Sequence, residues 1–187
     1  MSYQPTKTEK LVQRIRYTFG KEDHKNLIDP EIKNLGHGYI EIVYEGRLMR
    51  VYGGSFLRSP LLGTHIYRVC LAEEITDLKY EHKLPISDFS TPTLRDLVLS
   101  LDTVFNHTDG YDEIYAGCMG GYGRTGLFIS AMVMVCQTEP NAALAREAVR
   151  GTIHPYCVET QSQFNLLCEL EDYLRDMPFS DVVTAFK

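Results

Sequence analysis

Residues 114–130 read IYAGCMGGYGRTGLFIS. A short apolar run reaches Cys118, three glycines follow at 120, 121 and 123, Arg124 and Thr125 come next, and a second apolar run begins at once. The first run has the length and composition of a strand. The second, 124–138 (RTGLFISAMVMVCQT), is apolar nearly all round, which predicts a helix buried at the centre of the protein. A strand ending at Cys118 and a helix starting near Arg124 leave only a tight turn between them. The glycines let that turn take backbone angles that side chains resist and let a ligand approach the main chain. Successive N–H groups in such a turn form an anion nest, and the helix N-terminus adds positive potential. The loop therefore suits a tetrahedral oxyanion, with phosphate as the natural candidate.

The same field favours thiolate over thiol at Cys118, and thiolate is the stronger nucleophile. Arg124 offers a planar fork for two phosphate oxygens as charge shifts in a transition state. The Thr125 hydroxyl stands ready to hydrogen-bond the sulfur. Met119, Gly120, Gly121, Tyr122, Gly123 and Arg124 are thus the expected phosphate-binding residues. The spacing makes a site for moving a phosphoryl group onto sulfur.

Outward from the loop, period and turn chemistry mark the remaining elements. YIEIVY (39–44) and RLMRVYG (47–53) alternate around Glu45-Gly46, the pattern of a β-hairpin. HIYRVCLA (65–72) is a further strand, and YEHKLPI (80–86) leads into another. Thr91-Pro92 looks like a helix cap followed by a first-turn proline. After it, Leu94, Leu97, Val98, Leu101, Val104 and Phe105 share one helical face. PNAALAREAVRG (140–151) and ETQSQFNLLCELEDYLRD (159–176) are amphipathic helices, and MPFSDVVTAFK (177–187) is left without an element, strand-like packing being one option. These elements predict an α/β fold, a central mixed sheet flanked by helices, with the phosphate-binding loop between a strand and a buried helix. Residues 1–37 are polar and weakly periodic and read as an extension packed on a single domain, 38–187.

At 187 residues the chain has material for one sizeable core. A net charge of −6 disfavours duplex DNA or anionic membrane as the main partner, which reward clustered Lys and Arg. No run has the length of a membrane span, and the N-terminus lacks the apolar stretch of a signal peptide. Five cysteines without a CxxC pair resemble reduced intracellular thiols, so a cytoplasmic setting is expected, and six histidines without ligand spacing give no sign of a metal. Neither cofactor nor metal is expected, and oligomeric state is not legible.

The pattern C-x5-R-[S/T] resembles that of the cysteine-dependent protein tyrosine phosphatase superfamily. CMGGYGRTG is most similar to its compact dual-specificity branch, particularly the cyclin-dependent-kinase-associated phosphatase and its bacterial and viral relatives. LPISDFSTP (84–92) resembles that branch's general-acid loop, with Asp88 at the position of the acid, and HPYCVETQSQFNLL (154–167) resembles its late glutamine segment, with Gln163 at the matching position. The resemblance covers about half of the chain. It implies attack by Cys118 on phosphorus, protonation of the leaving oxygen by Asp88, and hydrolysis of a phosphocysteine by water that Gln163 helps to position. Gln161 is a rival for that last position, whereas Asp96 and Asp102 fall within the predicted helix. The family usually carries histidine before the cysteine, where this chain has Gly117.

The substrate implied is a phosphoprotein carrying phosphotyrosine, with phosphoserine and phosphothreonine as further candidates. Tyr122 stands where lipid-directed relatives often carry lysine, which tilts the reading toward protein. A phosphoinositide, inositol phosphate, nucleotide or RNA 5′-phosphate end is the alternative within the same chemistry. A catalytically dead phosphate-binding module ranks last, because cysteine, arginine and aspartate are all present.

Overall fold

The computed structural model describes residues 38–108, 111 and 113–187; the expected extension over 1–37 lies outside the described residues. Strands β1 (Tyr39–Tyr44) and β2 (Arg47–Ser55) pair antiparallel as a hairpin. Its two turn residues, Glu45 and Gly46, take φ of 49° and 82°, the doubly positive geometry that matches the twist of paired strands. A 3₁₀ helix, Phe56–Leu61, leads to β3 (Ile66–Ala72), then come β4 (His82–Ile86), α1 (Leu94–His107) and β5 (Glu113–Cys118). After the loop that follows β5 come α2 (Gly123–Val135), α3 (Ala142–Thr152) and α4 (Gln161–Asp176). A last helix, α5 (Phe179–Phe186), closes the chain.

The sheet order is β1-β2-β5-β3-β4. β2, β5, β3 and β4 run parallel and β1 antiparallel at one edge, so the expected mixed sheet is what the chain forms. β5 is the middle strand, and all six of its residues are buried, which is why it reads as an unbroken apolar run. α2 packs against β1, β2, β3 and β5 and also against α3 and α4. Covered on all sides, it buries every residue from Gly123 to Met134. Each fully buried Leu, Ile, Phe or Met there contributes about 1.5–3 kcal/mol, so the loop at its N-terminus rests on one of the firmest elements of the fold.

Two local expectations need correction. The cap of α1 is Thr93 rather than Thr91, and Pro92 precedes the helix instead of entering it: the Thr93 hydroxyl accepts from the Asp96 amide at 3.1 Å. Asp96 completes this cap, and Asp102 bonds Asn106 and pairs with Lys187, so neither serves the loop. The tail is helical, with Phe179, Val182 and Val183 buried one turn apart. The apolar face expected for α1 is buried as drawn, from Leu94 to Phe105.

Candidate active site

The C-terminal ends of the four parallel strands meet at one edge, and the loop 118–124 sits there. Cys118 ends β5 and is 3% exposed. Its Sγ accepts a hydrogen bond from the Thr125 hydroxyl at 3.2 Å and from the Gly121 amide at 3.3 Å. Thr125 Oγ1 in turn accepts from the Cys118 amide at 3.0 Å. The expected hydroxyl–sulfur contact is therefore made, and it fixes the thiol beneath the loop.

The loop can lie so close to the sheet because of two glycines. Gly121 has φ of 86°, and a Cβ there would strike the main chain of Gly54 and Ser55 at about 2.4–2.7 Å. Ser55 ties the same spot down through its hydroxyl, which donates to the Met119 carbonyl at 2.6 Å. Gly117 explains the departure from the usual histidine. A Cβ at 117 would come within 2.9 Å of Gly54 O and Phe56 N, so the end of β2 occupies the space a side chain would need.

Arg124 is 2% exposed, and its guanidinium is gripped from three directions. Nη1 and Nη2 donate to Glu74 Oε2 and Oε1 at 2.8 Å each, a parallel two-bond contact. Nη1 also donates to the Ile86 carbonyl at 2.8 Å, and Nη2 lies 3.0 Å from Asp88 Oδ1. Burial works to lower the arginine pKa, but the bonds to Glu74 and the neighbouring Cys118 outweigh it and raise the value. The same bonds hold the Glu74 carboxyl below its ordinary range.

The structure thus brings together Cys118, Arg124, Thr125 and Asp88. Asp88 projects from a turn closed by the Ser90 amide on the Ser87 carbonyl at 3.1 Å, in which Phe89 takes φ of 55°. Its side chain is 65% exposed and extends to the Arg124 guanidinium. Gln163 is fully buried and lies against Gly123 beside the Glu159 carboxylate. It shares a capping box with Thr160 at the start of α4 and donates to the Ser90 carbonyl at 3.4 Å, linking that helix to the Asp88 turn. Its rival Gln161 bonds Asn165 on the exposed side of α4.

Two carboxylates escaped the sequence reading. Glu74 sits in the β3–β4 connection, fifty residues from its partner. Glu159 precedes α4, and its Oε2 accepts from the Gly123 amide at 2.9 Å, so a phosphate oxygen would have to take its place on that amide. A carboxylate fits there because the N-terminus of α2 carries positive potential. Among the described residues no cluster of His, Cys, Asp and Glu is arranged to hold a metal ion, and no helix is long and apolar enough to cross a membrane.

A thiol at the end of the middle parallel strand, a glycine loop and a helix-borne arginine define a cysteine-dependent dual-specificity phosphatase-like fold. The comparisons with known proteins agree. Residues 69–138 match the family Tc-R-P, described as a polymorphic toxin system DSP-PTPase phosphatase. Tk-PTP in its active form aligns with 25% identity and a TM-score of 0.54 over 71% of this chain and 96% of that one. Kinase associated phosphatase, with its catalytic-site cysteine replaced by serine, aligns with a TM-score of 0.58 at 16% identity, over 75% and 97% of the two chains, a likeness of fold. Two uncharacterized proteins of Methanocaldococcus jannaschii are 30% and 29% identical over 89 residues, 46% of this chain. The chain spans about half the length of these curated relatives, 56% and 52%. Together these matches support a fold like that of the dual-specificity phosphatases.

Proposed function

We propose that residues 38–187 form one catalytic domain that hydrolyses phosphoprotein monoesters, phosphotyrosine first and phosphoserine and phosphothreonine besides, through a phosphocysteine. The observation that carries this reading is the placement of Cys118 Sγ, held by the Thr125 hydroxyl and the Gly121 amide, in one loop with the buried, fixed guanidinium of Arg124.

In the first step Sγ attacks phosphorus, the S–P bond forms, and the ester O–P bond breaks as Asp88 gives its proton to the departing oxygen. Arg124 holds two of the phosphoryl oxygens while Glu74 keeps its fork from turning. In the second step water attacks phosphorus, its proton passes to the Asp88 carboxylate, and the S–P bond breaks. The Thr125 hydroxyl then stabilises the returning thiolate, and Gln163 orients the water. Glu74 and Asp88 both engage the Arg124 guanidinium, so a dianionic ester binds best once Asp88 is protonated and loosens its hold on Nη2. The protonated acid is the form that the first step requires.

Purified protein with reductant and without metal is assayed on an aryl phosphate, phosphopeptides, inositol phosphates and nucleotides. Turnover of aryl phosphate and phosphopeptide that Cys118→Ser abolishes is the expected result. Faster turnover of an inositol phosphate or nucleotide than of any phosphopeptide would move the substrate to the non-protein class. Phosphate binding without turnover in the unaltered protein would leave only a binding module.

A further inference from the structure

Beside the phosphate loop stands a group of aromatic rings that the chemistry above does not use. Tyr122, itself a loop residue, lies next to Gly120 and packs on the His154 ring at 4.1 Å between centroids, the two planes tilted by 32°. Tyr156 meets Tyr122 edge-on at 6.5 Å and lies tilted against His154 at 5.4 Å. The segment that presents them is held firmly. The Cys157 amide donates to the His154 carbonyl at 3.0 Å, the Tyr156 amide to His154 Nδ1 at 3.3 Å, and Arg150 of α3 donates to the carbonyls of Cys157 and Val158 at 2.9 and 3.2 Å. Yet Tyr156 is 67% exposed. A rigid scaffold thus carries an exposed aromatic face on the rim of an anion site.

We propose that Tyr122, His154 and Tyr156 form a platform for the leaving group that selects esters with an aromatic ring bonded directly to the phosphate oxygen, phosphotyrosine in particular, over alkyl phosphates. This rests on the reading of the site as a phosphomonoesterase and names what that site prefers. A ring one bond beyond the ester oxygen leaves the loop at its rim, where Tyr122 begins the platform, and can pack edge-to-face or offset against it. An alkyl phosphate presents no π face, and in a nucleotide the ribose carries the base farther from the loop. One well-placed aromatic pair corresponds to about a two- to tenfold change in affinity.

The test measures binding and turnover separately. Calorimetry with Cys118→Ser protein gives the affinity ratio of a phosphotyrosine peptide to a phosphoserine peptide of otherwise identical sequence. Adding Tyr156→Ala should lower this ratio about two- to tenfold, while Tyr156→Phe should keep it. An unchanged ratio in Tyr156→Ala and in a parallel His154→Ala variant would overturn the platform, as would tighter binding of adenosine 5′-monophosphate than of phosphotyrosine. Absence of turnover by the unaltered enzyme, with the ratio still sensitive to Tyr156, would instead sink the phosphatase reading and leave the platform standing.

Discussion

Replacing Glu74 by glutamine tests how the arginine is held. Arg124 is almost wholly buried, and its two bonds to Glu74 are short and parallel. A hydrogen bond to a charged group adds about 1.5–3 kcal/mol in a protected setting. Glu74 is 36% exposed, so water already competes for its oxygens and the contribution shrinks. Glutamine retains one acceptor, and the net loss we expect is about 1–2 kcal/mol, a fall in Tm of about 2–8 °C for a chain of this size. Catalysis should suffer more than stability. With its fork loosened, the guanidinium settles on Asp88 and Ile86, and both phosphate alignment and release of the acid are impaired. A small misplacement of this kind costs on the order of tenfold to a hundredfold in kcat/KM. The pH dependence has a definite sign. Because the folded protein holds the Glu74 carboxyl below its ordinary value of 4.5, its stabilisation is complete above that pH and is lost as pH falls through the depressed value. The Tm gap between the two proteins should be full at neutrality and close in acid. Thermal unfolding and steady-state kinetics decide the matter: equal Tm and kcat/KM within twofold would refute the argument.

Asp88→Asn should slow turnover on the order of 10²–10⁴-fold, with the loss shrinking across a series of aryl phosphates as the leaving group needs less protonation; a constant loss across the series would remove Asp88 from the acid's role. Gly117→Ala forces a methyl against Gly54 O and Phe56 N at 2.9 Å, and such overpacking costs about 1–3 kcal/mol, read by denaturant unfolding. A more stable Gly117→Ala protein would show that β2 yields easily. Burial pushes the Cys136 and Cys157 thiols up to about 12, so iodoacetamide at pH 8 should leave both unmodified in the folded protein and label them only after unfolding, as peptide mass spectrometry would report.

What could be read in advance was what depends on near neighbours. Glu45-Gly46 announced its turn because both residues tolerate the positive φ that a two-residue hairpin demands. The apolar stripe of α1 and the unbroken apolar run of α2 gave their burial directly, since periodicity records which faces meet the core. The loop from Cys118 to Thr125 was legible for the same reason, as all its chemistry lies within eight positions. Glu74 was not. Nothing within a few residues separates it from Glu73, and its partner arrives only when β3, β4 and α2 are assembled. Glu159 was hidden likewise, by a contact across thirty-six positions. The tail carried a signal that went unread: Phe179, Val182 and Val183 have helical spacing, and Pro178 stands before them at the cap. At Thr91 the proline drew attention to the wrong side, whereas Thr93 with Asp96 three residues on is the better cap pattern.

Ser55, Ala72, Ile86 and Cys118 close the four parallel strands at a common rim, while the hairpin tip at Glu45-Gly46 points from the other end of β2. Chemistry and scaffold are therefore segregated along the strand axis. Residues can be grafted into the tip at 45–46, as a fluorophore tag or a short reporter peptide, with the reacting atoms some nine residues of extended chain away. Changes to the crossings after β3 and β4, in contrast, fall on the segments that carry Glu74 and Asp88 to the Arg124 guanidinium.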